Sequence, residues 1–194
     1  MATPWKSNVR SAGRLLVFND AGAWRPVVEN AIATFNGLSL RVTLETTGDE
    51  GAANVVVKLS HGNTGSYTFH DRFYGDVTVT ANFDASRAHG KTKIVKDPDR
   101  GVVVMAAVFL PQRLRGSSAG VKEIVTIHEF IHAAGMDSDA DHDRTDGVFY
   151  AIMEPSGNGL REWGTSNAAM PPVRLGASTR STLDGLWGGN AASD

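Results

Sequence analysis

The sequence contains no cysteine. This absence excludes disulfides, thiol nucleophiles and zinc sites built on thiolates, and it leaves the cellular compartment open. Long apolar runs are also missing, since no stretch approaches the roughly 20 residues of a membrane-spanning helix. The opening segment MATPWKSNVRSAGR lacks the apolar region of a Sec signal peptide. We therefore expect no membrane association, and either a cytoplasmic protein, one exported by a non-classical route, or one whose leader has been removed.

Neither sign of charge dominates the chain. The 19 Lys and Arg residues against 21 Asp and Glu residues give a formal net charge of −2, and the basic residues form no run. We therefore expect no nucleic-acid partner. No glycine-rich phosphate loop opens a helix, which argues against nucleotide binding. A length of 194 residues with 41% hydrophobic residues is ordinary for one globular domain, which we expect to be a monomer.

The apolar pattern predicts an α+β fold. Strand-like runs occupy residues 14–19, 38–47, 54–60, 76–83 and 101–111. Residues 20–37 place apolar side chains three and four apart, as an amphipathic helix does. Residues 1–13 are predicted to be a loosely held N-terminal arm, and residues 84–101 an exposed excursion rich in turns. The order predicts a twisted, mixed, mainly parallel sheet of four to five strands with helices on one side and a loop-rich C-terminal part ending in a helix.

The segment HEFIH lies on a second predicted helix, which Ser117 or Ser118 can cap and which ends near Gly135. His128 and His132 are one turn apart on the same face. Two neutral imidazoles so placed can both reach one zinc ion, at about 2.0–2.1 Å.

Glu129 projects beside such a metal ion. There it can take a proton from a water whose pKa the metal lowers toward roughly 7. The motif is short and occurs by chance, and the alternative is a pair of core histidines on a buried helix. Its position on a helix, after an apolar strand and before a glycine, favours the metal site.

The same segment resembles the metzincin zinc peptidases. HEFIHAAG matches the first eight positions of their signature H-E-x-x-H-x-x-G-x-x-H, with Gly135 at the turn. YAIMEP, residues 150–155, resembles the family's Met-turn, and LGASTRSTLDGLWGG is similar to the C-terminal helix of the matrixin branch.

The resemblance implies a zinc-dependent endopeptidase with one catalytic Zn²⁺. His128 and His132 would be ligands, Glu129 the general base, and Met153 the methionine beneath the metal. Residues 14–194 would form a single metallopeptidase catalytic domain. Its upper part, about 14–135, would hold the sheet, a backing helix and the active-site helix, and its lower part would span about 136–194.

The third ligand departs from the family pattern. Ser138 occupies the expected position, and a neutral hydroxyl is a poor zinc ligand. His142 lies ten residues after His132 (142 − 132) instead of six, and a longer loop can return its imidazole to the metal. We favour His142 because imidazole is the family's usual third ligand and this is the only histidine after the helix. Asp137 or Asp139 is the alternative.

The same loop also raises the question of calcium. Four aspartates occupy positions 1, 3, 5 and 7 of an EF-hand-like frame: Asp137, Asp139, Asp141 and Asp143. His142 stands where the EF-hand has glycine and Val148 where it has glutamate, which argues against an EF-hand. Another Ca²⁺ role for this loop is a weakly supported alternative.

The resemblance also implies that a protein or peptide substrate lies extended and antiparallel along a sheet edge. Residues 102–109 or a neighbouring strand would form that edge by β-augmentation. Two other functions stay open: a non-catalytic metal-binding structural or interaction module, and a zinc hydrolase of non-peptide amides. The presence of Glu129 argues against the module, because a structural zinc needs no base and prefers four protein ligands.

Overall fold

The structure is a computed structural model. It describes residues 2–71, 75–83, 90–112, 118–138, 141–143, 145–146 and 173–188. The predicted Met-turn with Met153 and the alternative ligand Asp139 lie outside the described residues. Their roles stay predictions, as does the division of residues 14–194 into an upper and a lower part.

Seven strands occur in the described residues. They are β1 (Arg14–Asp20), β2 (Thr43–Thr47), β3 (Val55–Ser60), β4 (Thr64–Asp71), β5 (Gly75–Asn82), β6 (Lys91–Lys96) and β7 (Val103–Pro111). Five of them form one sheet in the order β2-β1-β3-β7-β6, and β4 and β5 form a separate antiparallel pair. Strands β2, β1, β3 and β7 are parallel, and β6 is antiparallel to β7. The prediction of a mixed, mainly parallel sheet is confirmed.

The described helices are α1 (Ser7–Ala12), α2 (Arg25–Gly37), α3 (Ala119–Ala133) and α4 (Ala177–Gly188). The apolar faces of α2 and α3 share one core with alternate residues of the central strands, such as Val55 and Val57 of β3. The intervening Val56 faces the other side of the sheet, where residues of β4 and β5 cover it. This alternation follows from the two-residue repeat of a strand. No described helix has both the length and the apolar character needed to cross a membrane.

The prediction of an exposed excursion over residues 84–101 is wrong at residues 91–96, which form strand β6. Its sequence KTKIVK carries three lysines, so its composition did not indicate a strand. Lysines are nevertheless typical of the edge strands of sheets. Strand β6 pairs with β7, so β7 lies between β3 and β6 inside the sheet. The neighbouring strand β6 therefore forms the edge on this side of the described sheet, and the binding of substrate there stays a prediction.

The loosely held arm predicted for residues 1–13 is also wrong over its described part. Trp5 is 1% exposed and belongs to the main core, together with Val9 of α1. The indole N–H of Trp5 donates to the carbonyl of Ala133 (2.8 Å), and the N–H of Thr3 donates to the carbonyl of Gly135 (2.8 Å). The end of α3 leaves carbonyl groups without helical partners, and this segment supplies donors to them.

Candidate metal centre

Helix α3 carries three ionisable side chains into the core. The hydroxyl of Ser118 accepts a hydrogen bond from the N–H of Val121 (3.2 Å), as an N-cap does. Every residue from Ile124 to Ala133 is buried, including His128, Glu129 and His132. Buried polar groups are costly unless they are paired or bind a metal ion. The helix was predicted from its sequence, and the burial of residues 124–133 requires partners for these three residues.

The three predicted histidine ligands come together. His128, His132 and His142 are 3%, 8% and 7% exposed, and each offers a ring nitrogen within 4.8 Å of the other two. The Nε2 atoms of His128 and His132 are 3.0 Å apart. Within the described ranges, no other group of histidine, aspartate or glutamate residues has this geometry.

Hydrogen bonds at the far side of two rings orient their nitrogens. Nδ1 of His132 lies 2.7 Å from the carbonyl oxygen of Met136. A carbonyl can only accept, so Nδ1 carries the proton and Nε2 keeps its lone pair. Nδ1 of His142 lies 3.1 Å from Oδ2 of Asp146. The carboxylate oxygen accepts from this nitrogen, so Nδ1 carries the proton in His142 as it does in His132. Both Nε2 atoms are thereby available as metal ligands.

This donor set fits a divalent ion such as zinc. Two nitrogens bound to zinc at about 2.0–2.1 Å in tetrahedral geometry are about 3.3 Å apart, close to the separation of the His128 and His132 Nε2 atoms. Among the described residues, three imidazoles would fill three of the four tetrahedral positions, which is the ligand number of catalytic zinc sites, whereas structural sites have four protein ligands.

Strand β6 and the residue before it hold Glu129. The hydroxyl of Thr92 lies 2.8 Å from Oε2 of Glu129 and 2.9 Å from its carbonyl oxygen, within donating distance of both. A Cβ on Gly90 would lie 2.7 Å from Oε1, so glycine leaves the space that this carboxylate occupies. Sequence reasoning missed Thr92 and Gly90 because it assigned no strand there. The alternation in KTKIVK was the only available signal.

Asp137, one of the alternatives to His142 as third ligand, forms its hydrogen bonds outside the histidine cluster. Its Oδ2 accepts hydrogen bonds from the hydroxyl of Thr3 (2.8 Å) and from Nζ of Lys96 (2.7 Å). The carboxylate thus links the N-terminal segment to strand β6 and is not part of the histidine cluster.

Asp143, one of the four aspartates considered for calcium, binds the chain around the start of α4. Its Oδ1 accepts from the N–H of Thr145 (3.0 Å), and its Oδ2 accepts from the N–H of Ser178 (3.1 Å). Hydrogen bonds from Thr145 and Ser178 hold the pKa of the Asp143 carboxyl well below its ordinary range. Asp143 therefore acts as a cap for α4 in the described structure.

The end of α3 turns away from the site at Gly135. This glycine has φ +119°, and a Cβ there would lie 2.5 Å from the carbonyl oxygen of Thr3. The indole N–H of Trp187, on α4, donates to the carbonyl of Ala134 (2.9 Å). Indoles from both ends of the described chain, Trp5 and Trp187, therefore bind consecutive carbonyls at the end of the site helix.

No family model matches the chain, and no curated protein sequence matches it significantly. A search of solved structures finds similarity to a structure of myroilysin, with a TM-score of 0.42 and 14% sequence identity. That similarity covers 90% of this chain and 92% of the other.

Proposed function

We propose that this protein is a zinc-dependent endopeptidase. The observation that carries the proposal is the convergence of three buried histidines, His128, His132 and His142, with Glu129 on the helix that carries the first two. The resemblance of HEFIHAAG to the metzincin signature supports the same reading from the sequence.

Each residue has a role in this proposal. The three histidines hold the ion, which when bound supplies a Lewis acid for a peptide carbonyl and lowers the pKa of water. Glu129 takes the proton from the attacking water and delivers it to the leaving amine. The hydroxyl of Thr92 holds the carboxylate of Glu129 in one orientation. Met153 is the methionine we assign beneath the metal.

The substrate we propose is a peptide in extended conformation along β6. This strand ends the five-stranded sheet, so one side of its backbone has no strand partner within that sheet. An added peptide strand would use those backbone groups. Because Thr92 lies on β6 and contacts Glu129, a peptide on this edge would pass beside the general base.

The test is metal content combined with turnover. The purified protein should contain about one zinc per chain, and it should cleave peptides from a mixed library. Glu129→Ala should keep the zinc and lower cleavage by about 10²–10⁴-fold. Glu123→Ala is the matched control, because Glu123 lies on the same helix and bonds to Thr34 instead of the site (2.6 Å). It should retain both zinc and activity.

Two results would contradict the proposal. If Glu129→Ala cleaves as fast as the parent protein, the mechanism is wrong. If the zinc-loaded protein cleaves no peptide, the alternative of a metal-binding structural or interaction module is favoured. Turnover of acylated amines without peptide cleavage would instead favour a hydrolase of non-peptide amides.

A further inference from the structure

Asp146 is a fully buried carboxylate that the sequence did not single out. Its side chain and that of His142 are both 0% exposed. Three donors reach it: Nδ1 of His142 (3.1 Å), the hydroxyl of Thr179 (2.6 Å) and the N–H of Gly176. All three groups donate, so the carboxyl group of Asp146 is the acceptor in each of these hydrogen bonds.

A buried carboxyl group is costly unless its oxygens have hydrogen-bond partners. The imidazole N–H of His142 is one such partner, and a nitrogen of that ring lies within 4.8 Å of ring nitrogens of His128 and His132. A carboxylate behind a metal-binding histidine fixes the tautomer and raises the basicity of the ligand nitrogen. The carboxyl group of Asp146 therefore lies where it can orient the ring of His142.

Thr179 connects this pair to α4. Its hydroxyl oxygen accepts from the N–H of Asp143 (2.7 Å), and its only proton is donated to Asp146. Thr179 is itself fully buried, so no water competes for that proton. His142, Asp146 and Thr179 thus form one chain of hydrogen bonds from the site to the first turn of α4.

Helix α4 also contacts the end of α3, which carries the other two histidines. Leu183 is fully buried in the main core, and the indole of Trp187 binds the carbonyl of Ala134. The helix that anchors the third histidine therefore bonds to the C-cap residue of the helix that carries the first two. His142 and the helix that carries His128 and His132 are thus both connected to α4 by hydrogen bonds.

We propose that Asp146 is the positioning residue for the third metal ligand, and that it links metal binding to the docking of α4. It holds His142 with the proton on Nδ1 and with Nε2 directed at the other two histidines. The hydrogen bond from Thr179 to Asp146 connects this arrangement to α4. By thermodynamic reciprocity, a bound metal ion then stabilises the docked helix. The inference rests on the metal site of the proposed function and is independent of peptide hydrolysis.

The main test is the zinc affinity of Asp146→Asn in the full chain, measured by competition with a chromophoric chelator. The amide keeps the size of the side chain and removes its charge, so the zinc affinity should fall by about 10–100-fold. Asp137→Asn is the matched control: it is a carboxylate near the same site, but it bonds to Thr3 and Lys96. Its zinc affinity should equal that of the parent.

Thr179→Val gives a second, milder variant in case Asp146→Asn folds poorly. It removes the hydroxyl at nearly constant volume, so the zinc affinity should fall by less than in Asp146→Asn. The visible spectrum of the cobalt-substituted protein should change in both variants, because the third nitrogen is less well placed. In the parent protein, hydrogen exchange in α4 should slow when zinc is added, and this effect should shrink in both variants.

A purely structural role for Asp146 predicts a different result. The unfolding temperatures of metal-free and metal-loaded variants would then fall equally, while the zinc affinity and the cobalt spectrum stayed unchanged. That outcome would overturn the inference and leave the proposed peptidase untouched. A parent protein that binds zinc with this dependence on Asp146, but cleaves no peptide, would overturn the peptidase and support the positioning role.

Discussion

The imidazole of His142 stacks on that of His128, with ring centroids 4.7 Å apart and ring planes 8° apart. His142 follows His132 by ten residues, and yet its ring is also 4.9 Å from that of His132. The lengthened loop therefore returns to the helix and places a third imidazole against the first two.

We predict that His142→Ala lowers zinc affinity by about tenfold or more, since losing a ligand costs at least as much as losing the group that orients it. Asp137→Ala should leave the affinity unchanged, because its carboxylate bonds to Lys96 and Thr3. Chelator competition at fixed pH measures both. Loss of zinc in Asp137→Ala alone would transfer the third-ligand role to that aspartate.

Gly90→Ala is expected to impair catalysis without removing the metal. The added methyl group would press on Oε1 of Glu129, and a displacement of about 1 Å costs on the order of 10²-fold in rate. Peptide turnover and zinc content should be measured on the same preparation. Gly48→Ala is the control, since a Cβ there meets nothing within 4 Å. Full activity in Gly90→Ala would mean that Glu129 is not held where the structure has it.

Trp5 should contribute strongly to stability although it lies near the start of the chain. Trp5→Ala leaves a cavity in the main core, and we expect the free energy of unfolding to fall by about 3–5 kcal/mol. Trp5→Phe keeps most of the packing and removes the hydrogen bond to Ala133, with an expected loss of about 1–3 kcal/mol. Urea denaturation followed by circular dichroism distinguishes the two. Losses near zero in both variants would support the loosely held arm expected from the sequence.

Tyr67 is expected to make the protein less stable at high pH. Burial, together with the charge of Glu50 and a hydrogen bond to it, raises the pKa of Tyr67 to about 12 from its ordinary value of 10.0. A raised pKa in the folded state means that this stabilisation is complete below about pH 10 and is lost as the pH rises through about 12. Tyr67→Phe should remove this part of the pH dependence. Ultraviolet absorbance of the phenolate, compared between parent and variant, checks the pKa directly, and ionisation of Tyr67 near pH 10 would contradict it.

Much of the fold follows from local pattern. In α2, the spacing of Val28, Ala31, Ile32 and Phe35 defines one buried face, as predicted. Strands β1, β3 and β7 were found within one or two residues of their ends, because runs of β-branched residues mark buried parallel strands. Strands β4 and β6 were not predicted, since polar and lysine-rich strands gain their structure from pairing and not from composition.

For the site, the sequence by itself determined that His128, Glu129 and His132 share a helix and that the chain turns at Gly135. The four-residue spacing and the glycine act within one or two turns of backbone, so no distant contact is needed. Only the tertiary structure decided which loop residue joins the histidines, that Thr92 and Gly90 hold Glu129, and that Asp146 stands behind His142. These relationships depend on strand pairing and helix packing between segments distant in sequence, such as the 37 residues that separate Thr92 from Glu129. No local pattern encodes such contacts, because they form only when the core brings the segments together.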